Sequence, residues 1–218
     1  MDSDLWSAAL VGTLAGGIAT IPVKFLVYPS INFLLGINLR NLIAGSEGFL
    51  FKIMASLGIV GPVEESAKLL AVLTGIASLK LQKRPSAIFL AAIAAGLGFS
   101  LVENLDYYYI YGVDVLALRG LISSTGHIVF SGIFGVVAAW AIPVAQDSGG
   151  RKFGWTFVAM MAGLFAASTA HGIFNVIAFC FSPQVSLPSL GVLLVFGIAL
   201  LNIFWTKVLK MDVPLKPI

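Results

Sequence analysis

Glu64 and Glu65 stand side by side in GPVEESAKLLAVL, with Lys68 one helical turn further on, and Glu103 sits in GLGFSLVENL. The chain's two histidines, His127 in STGHIVFSG and His171 in STAHGIFN, occupy later runs that are equally apolar. An ionisable group at membrane depth carries a free-energy cost on every insertion scale, so six such groups spread over four segments specify a site. A carboxylate kept out of water holds its proton to higher pH, and a second carboxylate beside it adds to the effect. That property suits a general base or acid near neutral pH.

Histidine donors and a side-chain amide can hold the oxyanion of a tetrahedral intermediate. Asn175 lies four positions after His171 and shares its helix face. Glutamate-activated water with such an oxyanion site is sufficient for amide hydrolysis. The same residue types also form a donor set for a catalytic zinc with one position left for water, the candidates being Glu64, Glu103, His127 and His171. Other protease chemistries lack their motifs. There is no H-E-x-x-H and no G-x-S-x-G, and Asp106 and Asp114 fall in an expected loop rather than on facing helices.

The elements that carry these residues are membrane spans. A hydrophobic fraction of 59%, a charged fraction of 11% and a mean hydropathy of +1.00 exclude an ordinary soluble domain. The net charge of +3 reflects Lys and Arg beside spans, with no basic run of the nucleic-acid-binding kind. The single cysteine, Cys180, has no intrachain partner. The acidic start MDSDLW is unlike a signal peptide, so the first apolar run is expected to be a retained span.

Six stretches reach the length of a bilayer-crossing helix: 6–27, 50–79, 85–105, 118–142, 154–181 and 187–209. Residues 28–48 are apolar but interrupted by Pro29, Asn32, Gly36, Asn38 and Arg40, and read as an interfacial or re-entrant segment. Pro62 either breaks the second stretch or accompanies a tilt. Gly12 and Gly16 form a GxxxG that permits close helix packing. The expected fold is an all-α polytopic bundle, a single domain over 1–218 with its core motifs at 50–181. Lys80, Lys83 and Arg84, then Arg151 and Lys152, then Lys207, Lys210 and Lys216 fall on one side, which makes that side and both termini cytoplasmic.

Counting from the loops at about 1.5 Å per residue puts Glu64, Glu103 and His171 about 24, 27 and 25 Å from the cytoplasmic face, and His127 about 12 Å from the outer one. Four segments thus bring their polar groups to the outer half of the membrane. Helical spacing pairs Glu64 with Lys68, Glu103 with Tyr107 and Asn104 with Tyr108, and places Lys68 three positions from Glu65. Lys68, Asn104 and Tyr107 are supporting residues in this reading. Ser123, Ser124, Ser131 and Ser168 are expected to satisfy helix carbonyls, and Tyr107 to Tyr109 to form an interfacial belt.

EESAK, GFSLVEN, the GHIVFSG block and HGIFN occur here in the order and apolar context of PrsW-type intramembrane proteases, which the chain resembles over 50–180. These proteases are related to the CAAX prenyl endopeptidases and the abortive-infection superfamily. The resemblance implies an integral protein of a prokaryotic cell membrane. It also implies site-1 cleavage, near the outer face, of a membrane-anchored protein of the anti-sigma-factor type. Glu64 would activate water with Glu65 in support, Glu103, His127 and His171 would complete the site, and Asn175 would polarise the scissile carbonyl. A zinc ion is the cofactor implied if the chemistry is metal-dependent. The partners are the substrate and the lipid bilayer, with no nucleic acid. The alternative class is a proton-coupled carrier that uses the Glu and His cluster as a relay, although no inverted repeat is visible.

Overall fold

The computed structural model describes residues 2–39 and 48–212. Its principal elements are six helices: α1 (Ser3–Leu35), α2 (49–78), α3 (Pro85–Tyr111), α4 (114–147), α5 (Phe153–Cys180) and α6 (Pro183–Met211). Local chemistry marks their ends. The Asp2 carboxylate caps the start of α1, accepting from the Asp4 N–H at 3.0 Å. Prolines open α3 and α6, where a missing N–H costs nothing. Gly36 closes α1 in a left-handed conformation (φ 63°), its N–H bonding to the Asn32 carbonyl.

Five of these helices are long and apolar enough to cross a membrane, and α2 is not among them. The three ionisable residues Glu64, Glu65 and Lys68 interrupt its apolar run. Residues 28–35, part of the segment expected to be interfacial or re-entrant, are helical. They extend the first span without a break, so that α1 runs to Leu35, while residues 40–47, Arg40 among them, lie outside the described residues. Nor does Pro62 break α2. A π-helical turn at Ser56–Val60 leads directly into Gly61–Ser78, and a widened turn accommodates a residue that has no N–H to donate. The third helix continues to Tyr111, which puts Asp106 on a helix rather than in a loop.

Helix α3 is the centre of the bundle. Gly12 and Gly16 of α1 meet the backbone of Ala91 and Ala95, where any Cβ would collide, so the GxxxG is the α1–α3 contact. Gly96 of α3 sits against the His127 carbonyl of α4 in the same way. Phe89, Phe99, Phe130 and Phe134 fill the space between, each essentially inaccessible. The outward faces are apolar too: Phe33, Phe165, Val192 and Phe196 are exposed, as a bilayer requires.

At one end of the bundle Arg84 donates to Asp2 and, at 2.6 Å, to Asp4, while Asp212 at the foot of α6 accepts from the Ser86 N–H at 3.0 Å. This ties the start of α1, the α2–α3 turn and the end of α6 together. Three π-helical turns, Val23–Val27, Ser56–Val60 and Arg119–Ser123, lie toward the opposite end. The first is followed at once by Tyr28, and the other two are each followed four residues later by Glu64 and His127. A π-turn adds a residue to the helical repeat and so re-aims the side chains of the next turn.

Candidate active site

The opposite end holds a cavity of about 620 Å³ whose wall includes Glu64, Glu103, Tyr107, His127, His171 and Asn175. Four helices supply them, as the depth count implies. Glu65, Lys68 and Asn104 are not on that wall but stand behind it. Gly61, one turn before Glu64, lies against the Ser168 carbonyl of α5, so the helices bearing Glu64 and His171 approach as closely as backbones can.

Glu64 is 2% exposed, with Oε1 accepting from the Tyr28 hydroxyl at 2.7 Å. Its Oε2 has no hydrogen-bond partner among the described residues and faces His171 Nε2 across 3.9 Å. His171 donates through Nδ1 to Glu65 Oε1 at 2.8 Å, and the same oxygen takes Lys68 Nζ at 2.7 Å. The lysine pair is therefore with Glu65, not with Glu64 as helical spacing alone suggested. Glu64 is turned into the cavity by Tyr28, and Lys68 reaches across to His127 Nδ1 at 2.7 Å.

Glu103 Oε2 is bonded to His127 Nε2 at 3.0 Å and to Arg119 Nη2 at 2.7 Å, with Lys24 Nζ 3.8 Å from Oε1. Lys24 also bonds Asp106 at 2.7 Å. The expected pairing of Glu103 with Tyr107 is replaced by a stack: the Arg119 guanidinium lies 3.4 Å from the Tyr107 ring centre. Asn104 likewise turns from Tyr108, which is exposed, to donate to Ser124 Oγ at 2.9 Å and accept from Arg119 Nε at 3.1 Å. Ser124 thus serves a side chain as well as a carbonyl, and the buried Ser131 hydroxyl has no partner among the described residues. Of the tyrosine run only Tyr108 and Tyr109 face outward as a belt would.

Sequence reasoning missed Tyr28, Lys24 and Arg119. The last two were legible as charges flanking apolar runs. Tyr28 gave no signal, because its place depends on α1 continuing past residue 27.

A metal can be tested against these residues. Glu64, His127 and His171 are all buried, and one ligand atom from each lies within 4.8 Å of the others. The bare Oε2 of Glu64, opposite the Nε2 that His171 leaves free, is the arrangement a divalent cation would satisfy. Glu65 holds the other nitrogen of His171, as a carboxylate commonly does behind a metal-binding imidazole. The residues fit.

The model of the PrsW family intramembrane metalloproteases matches residues 5–203. The chain belongs to that family. No curated protein and no solved structure matches it. Membership of the PrsW family makes the protein an integral-membrane protease, so the carrier alternative is set aside. The matched region spans almost the whole helical bundle, α1 with its Tyr28 and Lys24 included.

Proposed function

We propose that the protein cuts a peptide bond of a membrane-anchored protein near the outer membrane face, with Glu64, Glu65, Glu103, His127, His171 and Asn175 as its machinery. The observation that carries this reading is Glu64, a buried carboxylate on the cavity wall with one oxygen held by Tyr28 and the other without a hydrogen-bond partner among the described residues. That bare Oε2 takes up the proton of the attacking water, as a general base must, within reach of the nucleophile. In the metal-assisted form of the reaction Glu64, His127 and His171 would hold the ion that the family's description implies, Glu64 Oε2 then being a ligand instead of the free base, and such an ion supplies Lewis acidity toward the scissile carbonyl and water. Asn175, on the same wall, offers amide donors to the carbonyl oxygen as negative charge develops there. Glu65 keeps the His171 ring oriented, and Glu103, neutralised by Arg119 and Lys24, does so for His127.

Support for the outer-face assignment comes from sidedness. Lys80, Lys83, Arg84, Arg151, Lys152, Lys207 and Lys210 all lie at helix ends away from the cavity, and positive loops stay in the cytoplasm. This orientation supports both termini in the cytoplasm, and the family resemblance supports a prokaryotic cell membrane. An anti-sigma-factor-type substrate, cut at site 1, rests on the resemblance alone. The cavity's apolar lining, including Phe25, Leu187 and Leu190, suits a substrate that arrives within the bilayer. The test is Glu64→Gln in vesicles carrying a membrane-anchored substrate. It should unfold at the wild-type temperature yet lose cleavage by about a thousandfold or more. Cleavage at the wild-type rate would remove Glu64 from the chemistry.

A further inference from the structure

The two histidines of the site are not equivalent. Lys68 is wholly buried, its Nζ 2.7 Å from both Glu65 Oε1 and His127 Nδ1 and 4.4 Å from the Phe99 ring centre. An ammonium has three donors and no acceptor, so His127 Nδ1 must be the nitrogen with the lone pair. The neutral ring then carries its proton on Nε2, which lies 3.0 Å from the acceptor Glu103 Oε2. On the other ring the order is reversed. His171 gives its Nδ1 proton to Glu65 Oε1 and presents a bare Nε2 toward Glu64. The rings are 5.1 Å apart at nearly a right angle, in opposite tautomers, joined through one Lys–Glu pair.

We infer that Lys68 is a positioning residue that sets this opposition and competes with a metal ion for His127. The inference rests on the reading of Glu64, His127 and His171 as the metal centre. A metal bound through Nδ1 takes the lone pair that Lys68 now occupies. A metal bound through Nε2 drives the ring proton to Nδ1, where it would face the Lys68 donors at their present 2.7 Å. Lys68 has to release His127 on either route. Its destination is in place, because Glu65 Oε2 is buried and has no hydrogen-bond partner among the described residues. Metal loading thus exchanges a Lys68–His127 bond for a second Lys68–Glu65 bond.

With two histidines in the chain, ¹⁵N-histidine labelling of the full protein in micelles resolves each ring, with His127→Gln assigning the signals. In metal-free protein one ring should carry its proton on Nδ1 and the other on Nε2. Zinc should move the His127 signals, and calorimetry should show zinc binding to Lys68→Met about tenfold tighter than to wild type. The same tautomer in both rings overturns the proposal. So does equal or weaker zinc affinity in Lys68→Met, or, where that variant does not fold, a His127 signal unmoved in the zinc-loaded wild type. The first two results leave the metal reading standing, whereas an unmoved His127 signal also takes His127 out of the metal set. Zinc binding to none of the proteins overturns both.

Discussion

The Tyr28 hydroxyl donates to Glu64 Oε1 at 2.7 Å, joining a residue of the first span to the carboxylate at the centre of the site. Two π-helical turns make the contact: Val23–Val27 ends just before Tyr28 and Ser56–Val60 four residues before Glu64. The bond fixes which oxygen of Glu64 is engaged and which is bare.

Tyr28→Phe removes this one donor and little volume. A hydrogen bond to a charged group is worth about 1.5–3 kcal/mol, so turnover should fall about ten- to a hundredfold if the bond orients the reacting carboxylate. Because Tyr28 is placed to act on Glu64 rather than on the peptide, KM should stay within about twofold. Steady-state cleavage of a membrane-anchored reporter separates the two parameters.

Arg119 has a different role, both electrostatic and structural. It bonds Glu103 at 2.7 Å and Asn104 at 3.1 Å while covering the Tyr107 ring. Arg119→Gln leaves Glu103 with Lys24 at 3.8 Å and His127 at 3.0 Å as its remaining partners. The pair is partly accessible, with side chains 16% and 11% exposed, so the cost should fall below that of a fully buried pair, at about 1–3 kcal/mol. Thermal unfolding in detergent measures it. Arg119→Gln combined with Glu103→Gln should cost less than the two single changes added together.

The legibility of the site in the sequence depends on the range of each interaction. Glu64, Glu103, His127, His171 and Asn175 announce themselves by type, since each is an anomaly in an apolar run, and a count at helical rise brings them to one level. Helical spacing misassigned Lys68, because Glu64 and Glu65 are both within its reach and the choice is made by His127, fifty-nine residues further on. It also missed the Arg119 stack and the Ser124 contact, which form between helices. The π-turns were not visible either: they arise where packing against a neighbouring helix outweighs the regular repeat. Tyr28 fell to the same cause, with Pro29 and Asn32 suggesting an interruption that α1 does not make.

The far end of the bundle carries a pH dependence of known sign. The Arg84 guanidinium, hydrogen-bonded to it, holds the Asp2 carboxyl below its ordinary value of 3.8. A depressed carboxyl contributes stability that is present above its unfolded value and lost as pH falls through its lower folded one. Asp2 is exposed, so the effect is small and sensitive to salt. Asp2→Asn should therefore unfold slightly below wild type above about pH 5, with the gap closing under acid conditions. Unfolding temperature against pH for the two proteins checks it.

The most direct test joins metal content to cleavage in wild type and His171→Ala. Elemental analysis of the purified proteins is run beside cleavage of a membrane-anchored substrate, before and after chelation. The expected result is one divalent ion per wild-type chain, cleavage lost with the ion and restored on its return, and neither ion nor cleavage in His171→Ala. A His171→Ala protein that keeps its ion and cleaves at the wild-type rate would contradict the site described here.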